Sequence, residues 1–174
     1  MISFIRVGII CYIFIFAIQL SAQEYNLMKL TGAWFWEWEI YQPSSDTLIK
    51  SKTPTDNTAW VFQLTEKGNG ISMKNYLVKR GEEFLISESL AFHDFEKNET
   101  HILRHDGKGL VTYPSPSVIL FENYNFDGTT RDVTRIHLKS DSELLLRRES
   151  YINGKPTGTL IKGVGRKRGW NLTP

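Results

Sequence analysis

From Gly32 to Tyr41 the chain alternates. Trp34, Trp36, Trp38 and Ile40 fall on one face of an extended segment, and Glu37 and Glu39 on the other. A period of two is the mark of a half-buried β-strand. The same reading predicts strands over Thr58–Thr65, Ile71–Lys79, Glu83–Phe92, Thr100–His105, Gly109–Tyr113, Ser117–Phe126, Thr129–Lys139, Glu143–Ile152 and Thr157–Arg168, with a short additional one at Asp46–Lys50. In Thr58–Thr65, Trp60, Phe62 and Leu64 share a face. In Glu83–Phe92, Phe84, Ile86, Leu90 and Phe92 share one, with Glu88 as the odd member. The breaks between strands are turn chemistry: Lys67-Gly68-Asn69-Gly70, Arg80-Gly81-Glu82, Asp106-Gly107, Asp127-Gly128, Ser140-Asp141-Ser142 and Asn153-Gly154. Gly and Asn tolerate positive φ there, and Asn-Gly is a strong two-residue hairpin signal. Pro114-Ser115-Pro116 is expected to interrupt pairing. Only residues 24–30 suggest a helical turn, with Leu27 and Leu30 on one side.

About eight to ten strands with turn signals roughly every 8–12 residues predict an all-β fold. Regular tight turns favour an antiparallel up-and-down order, and closure into a barrel removes exposed strand edges. Gly158, Gly163 and Gly165 in the last strand allow coiling or close packing against another element.

The amino terminus changes the picture of where this domain works. Arg6 precedes an apolar run, Val7–Leu20, and small residues follow at Ser21-Ala22. That is the layout of a secretory signal peptide, and the run is short for a permanent membrane span. Residues 1–22 are read as a signal peptide and residues 23–174 as one domain. The protein is therefore expected to be secreted or periplasmic. Cys11 is the only cysteine, so the mature chain has no disulfide, thiol nucleophile or cysteine metal site. Of 21 basic residues, loss of Arg6 leaves 20 against 19 acidic ones. That balance argues against nucleic acid as the partner. A monomer is expected.

Leu30-Thr31-Gly32-Ala33-Trp34, after a possible helical turn, resembles the start of the first strand in calycin-like barrels, the lipocalin-like proteins in the broad sense. It looks similar to small secreted bacterial lipocalin-like domains of unknown function. The resemblance implies that Gly32 and Trp34 close one end of the barrel. It also implies that a basic residue of a late strand stacks on the Trp, a role for Arg166 or Arg168. The central Thr-Asp-Tyr type signature of true lipocalins is absent.

Candidate chemistry is sparse. No Gly-x-Ser-x-Gly and no converging Ser, His and Asp are visible, so no catalytic residue is assigned. His101 and His105 would stand about 13 Å apart on a strand, and His93 with Asp94 meets His105 only across a hairpin. No metal and no cofactor is assigned. The aromatic group Trp36, Trp38, Trp60, Phe62 and Phe84 either fills the barrel or lines a cavity for an apolar ligand. Arg148 follows Leu144 and Leu146 on one face and is the choice for an inward charge. Arg135, across the hairpin near Arg147 or Glu149, is a second candidate for a polar head group. The sequence thus predicts a non-catalytic barrel binding a small, largely apolar ligand. The alternative is an inhibitor- or immunity-type module with a solid barrel, contacting a protein through the Gln42–Asn57 loop.

Overall fold

Among the described residues, alternating apolar and polar residues, cut by glycine turns, fold into eleven strands. A computed structural model describes residues 27–42, 47–50, 57–66, 70–94 and 96–169. The expected signal segment and most of the Gln42–Asn57 loop lie outside these residues. The strands are β1 (Gly32–Gln42), β2 (Thr47–Lys50), β3 (Asn57–Leu64), β4 (Gly70–Lys79), β5 (Glu82–Asp94), β6 (Glu99–Arg104), β7 (Gly107–Ser115), β8 (Val118–Asn125), β9 (Thr130–Ser140), β10 (Glu143–Ile152) and β11 (Lys155–Arg168). From β3 to β11 each strand pairs antiparallel with the next, and β11 returns to pair with β1 from Ala33↔Arg168 to Tyr41↔Leu160. β1 uses its other edge twice. Gly32–Trp36 pair with β3, and Ile40–Gln42 pair with the short β2. The wall is a closed, ten-stranded, up-and-down barrel, with β2 as an appendage.

Within the described residues turn chemistry sets the hairpins as the sequence predicts; the expected turn at Lys67-Gly68-Asn69 lies outside them. Asn153 and Gly154 both take positive φ, at 49° and 75°. That is the twist-matched two-residue turn joining β10 to β11. Pro114-Ser115-Pro116 interrupts the pairing as expected: β7 runs on to Ser115, but its register against β8 shifts between Thr112 and Ser115, and Pro116 falls in the turn. Proline lacks the N–H, so an irregular pairing is where it fits.

The two halves of the barrel interior differ. One end is filled. The helical turn at Leu27–Leu30 plugs it, with Leu30 fully buried. Leu30's carbonyl accepts from Trp34 Nε1 at 2.6 Å. Around this stopper pack Phe62, Ile71, Ala91, Ile102, Val111, Ile119, Phe121, Ile136 and Leu144. Burying a side chain of this size contributes about 1.5–3 kcal/mol relative to exposure. Among the described residues, no helix is long and apolar enough to cross a membrane.

Candidate functional site

The border between the filled half and the rest is built by indoles resting on glycines. The β1–β11 register sets Trp36 opposite Gly165 and Trp38 opposite Gly163. A Cβ on Gly163 would stand 2.6 Å from the Trp38 ring, and one on Gly165 2.9 Å from the Trp36 ring. Glycine at these two positions is what lets the indoles lie flat against the strand. Trp36 and Trp38 stack at 5.1 Å and 16°, and Trp60 leans on both, at 4.9 and 5.7 Å. Trp36 is buried, and Trp38 Nε1 donates to Thr58 Oγ1.

Beyond this layer the interior opens into a cavity of about 400 Å³. Trp38, Trp60, Ile40 and Ile161 supply apolar surface, and Thr58, Asn75, Ser87 and Arg148 supply polar groups. Asn75 Nδ2 donates to Ser87 Oγ at 2.7 Å. A recess of about 90 Å³ continues inward and shares Trp60, Asn75, Ser87 and Arg148 with the larger space. It adds Ser89, Arg104, Asn123 and Thr134. Arg148 is turned inward beside Leu146 and is neutralised on the spot. Its Nη2 pairs with Asp132, whose other oxygen accepts from Ser150 at 2.5 Å.

The sequence-predicted residues thus separate into groups. Trp38, Trp60 and Arg148 line the cavity. Trp36 and Phe62 lie beneath it in the filled half. Phe84 departs from expectation. A bulge where Asn75 faces Ser87 and Tyr76 faces Leu85 shifts the phase of β5, so Ser87, Ser89 and Ala91 oppose Asn75, Met73 and Ile71 on one side of it and Phe84 opposes Leu77 on the other. Phe84 is left 47% exposed beyond the bulge and is not among the residues lining the cavity.

Arg135 is the second departure. It opposes Arg147 and lines a separate outer groove of about 370 Å³ with Glu37, Glu39, His137 and Lys162. It stands among ion pairs on the outer wall. There Arg147 donates to Glu149 at 2.8 Å and Arg131 to Glu122 at 3.0 Å. The hydrogen bonds from Arg147 and Tyr151 hold the Glu149 carboxyl below the usual carboxylate range.

The barrel-closing cation is the third departure. Arg166 reaches Glu37 at 3.3 Å on the outer wall, and Arg168 sits over Phe35 at 5.2 Å. The residue over Trp34, at 5.4 Å, is Lys167. Register decides this, because Trp34 and Lys167 are directly paired and share a face. Gly32 lies against the same lysine, since a Cβ there would stand 2.6 Å from Lys167 Cε.

The histidines also scatter. His93 Nδ1 meets Thr100 Oγ1 at 3.1 Å, and His105 is in the β6–β7 turn. Among the described residues no three His, Cys, Asp or Glu side chains gather as a metal site. Asp132, Asn75, Ser87, Asn123 and Lys167 were not anticipated. The alternation Asp132, Thr134, Ile136 carried the signal for the first, but its partner Arg148 is 16 residues away in sequence.

Fold and cavity together define a lipocalin-like barrel, hollow at one end. Among solved structures, the chain is similar to the S-type phycobiliprotein lyase CPES from Guillardia theta. The TM-score is 0.58 at 11% identity, over 85% of this chain and 93% of that one. No family model and no curated protein matches the chain.

Proposed function

We propose that this protein is an exported, non-catalytic carrier that holds one small, largely apolar ligand in the open half of its barrel. The observation that carries this reading is the division of the interior: one half packed solid, the other a space of about 400 Å³ walled by Trp38 and Trp60. That volume is in the range of small-molecule sites, and its mix of aromatic wall and few polar anchors is the usual composition of such sites. A barrel of this kind is a scaffold able to hold one small ligand. Export rests on the amino-terminal segment alone. Native mass spectrometry of protein purified from its host is expected to retain a bound small molecule, and the melting temperature is expected to rise with members of a lipid and haem panel. No retained mass together with no thermal shift would refute the carrier.

One observation favours the second reading, a protein-contacting module. Phe84, Leu85 and Ile86 stand exposed in a row at the β4–β5 end, and Ile86 also borders the cavity. Pull-down with wild type against Phe84→Ser/Leu85→Ser, both off the cavity lining, separates the two. Loss of a protein partner with small-molecule binding intact supports the module.

A further inference from the structure

The cations at the cavity are already matched. Arg148 is bound to Asp132, and Asp132's second oxygen accepts from Ser150. At the recess, Arg104 holds Asp106 through Nε and Nη2, each at 2.9 Å. The recess carboxylate Glu88 lies 3.6 Å from Lys74. Among the described residues, an anion entering here finds no free positive charge. It must compete with Asp132 for one guanidinium, and a desolvated carboxylate without a counter-ion of its own is strongly disfavoured.

What the recess does leave open is neutral hydrogen bonding. Arg148 Nε and Asn123 Oδ1 are both buried without a hydrogen-bond partner, and both residues line the recess. Arg148 Nε can only donate, and the Asn123 amide carries both an acceptor and donors. Trp60 belongs to the same lining, so a flat body entering beside these groups meets an aromatic face.

Resting on the carrier reading above, we propose that the cavity selects a neutral, flat molecule with an amide-type edge, an acceptor beside a donor, and discriminates against the carboxylate of the same shape. The ligand's acceptor receives a hydrogen bond from Arg148 Nε–H, and the amide edge pairs with Asn123. The ion pair Arg148–Asp132 is thereby a selectivity device: it presents a hydrogen-bond donor while cancelling the charge that would draw acids in.

Indole-3-acetamide and indole-3-acetate have the same ring and length and differ in charge, so they serve as the probes. Calorimetric titration of the whole protein at pH 7 is expected to show the amide bound tighter by roughly tenfold or more. Asp132→Asn keeps a hydrogen-bonding side chain beside Arg148 and removes the counter-charge. In that variant the acetate is expected to gain about tenfold while the amide changes little. In wild type, which needs no variant to fold, equal or tighter binding of the acetate overturns the selectivity and leaves the carrier reading standing. An unchanged acetate affinity in a folded Asp132→Asn protein overturns it too. No heat from either probe at millimolar concentration overturns the selectivity, while the carrier stands or falls on the retained mass and the thermal shift.

Discussion

Gly165→Ala tests whether the indole layer is seated as described. The added methyl would stand 2.9 Å from both Cη2 and Cζ3 of Trp36 and 3.0 Å from Cε3. Comfortable carbon–carbon contact lies near 3.5–4.0 Å, so about half an ångström or more must be found. Trp36 cannot retreat. It is 2% exposed, stacked on Trp38 at 5.1 Å and braced by Trp60 at 4.9 Å. Overpacking of this kind costs about 1–3 kcal/mol. Alanine returns about 0.4–1 kcal/mol by restricting the unfolded chain, because the φ of Gly165 is not in the left-handed region. The net expectation is a loss of about 1–2 kcal/mol, or roughly 3–6 °C in melting temperature for a domain of this size. Urea unfolding followed by far-ultraviolet circular dichroism measures it. Trp36→Leu completes a mutant cycle. With the indole gone, Gly165→Ala should cost nothing or stabilise, giving a coupling of about 1 kcal/mol or more. An alanine variant as stable as wild type, or additive with Trp36→Leu, would refute the docking of the ring on the glycine.

Lys167→Met removes the cation over Trp34 and is expected to cost about 0.5–1 kcal/mol. Arg166→Gln, on the exposed outer wall, should fall within about 0.5 kcal/mol of wild type; a larger loss from Arg166→Gln than from Lys167→Met in parallel denaturation curves would reverse the assignment. Leu144→Ala, fully buried in the filled half, should cost about 2–4 kcal/mol. Because it lies outside the cavity lining, probe affinity in the folded variant should be unchanged; calorimetry would expose a shared interior if affinity fell as well. Tyr113 sets an alkaline limit. Burial pushes its hydroxyl up to about 12, with Thr100 acting weakly the other way. The unfolded chain loses that proton near pH 10, so the contribution is complete below 10 and is lost as pH rises from about 10 to about 12, roughly 2–3 kcal/mol in all. Tyr113→Phe should flatten that limb of the stability–pH curve; an unchanged slope would place the titrating group elsewhere.

The sequence alone determined the strands, most of the turns and the antiparallel up-and-down order. Those features are local: period-two alternation and residues that accept positive φ act within a few positions. The resemblance implied that Trp34 closes one end, and alternation turned Arg148 inward, because a face, once set by Leu144 and Leu146, persists along a straight strand. Tertiary structure decided what depends on register and on the closing of β11 against β1. Phe84 pairs with Leu77, yet it stands exposed beside the β4–β5 turn and off the cavity, and a bulge at Ile86, invisible in a pattern of apolar residues, breaks the row of Phe84, Ile86, Leu90 and Phe92. Lys167 rather than Arg166 or Arg168 covers Trp34 because one residue of register selects the face, and three adjacent basic side chains look alike in sequence. The hollow end was likewise beyond reach. Whether Trp38 and Trp60 fill space or border it depends on the volume left after Gly163 and Gly165 admit the rings, and volume is a sum over strands far apart in the chain. The pairing of Arg148 with Asp132, which turns an apparent anion anchor into a neutral donor, exists only because β9 and β10 align those two residues across a hairpin.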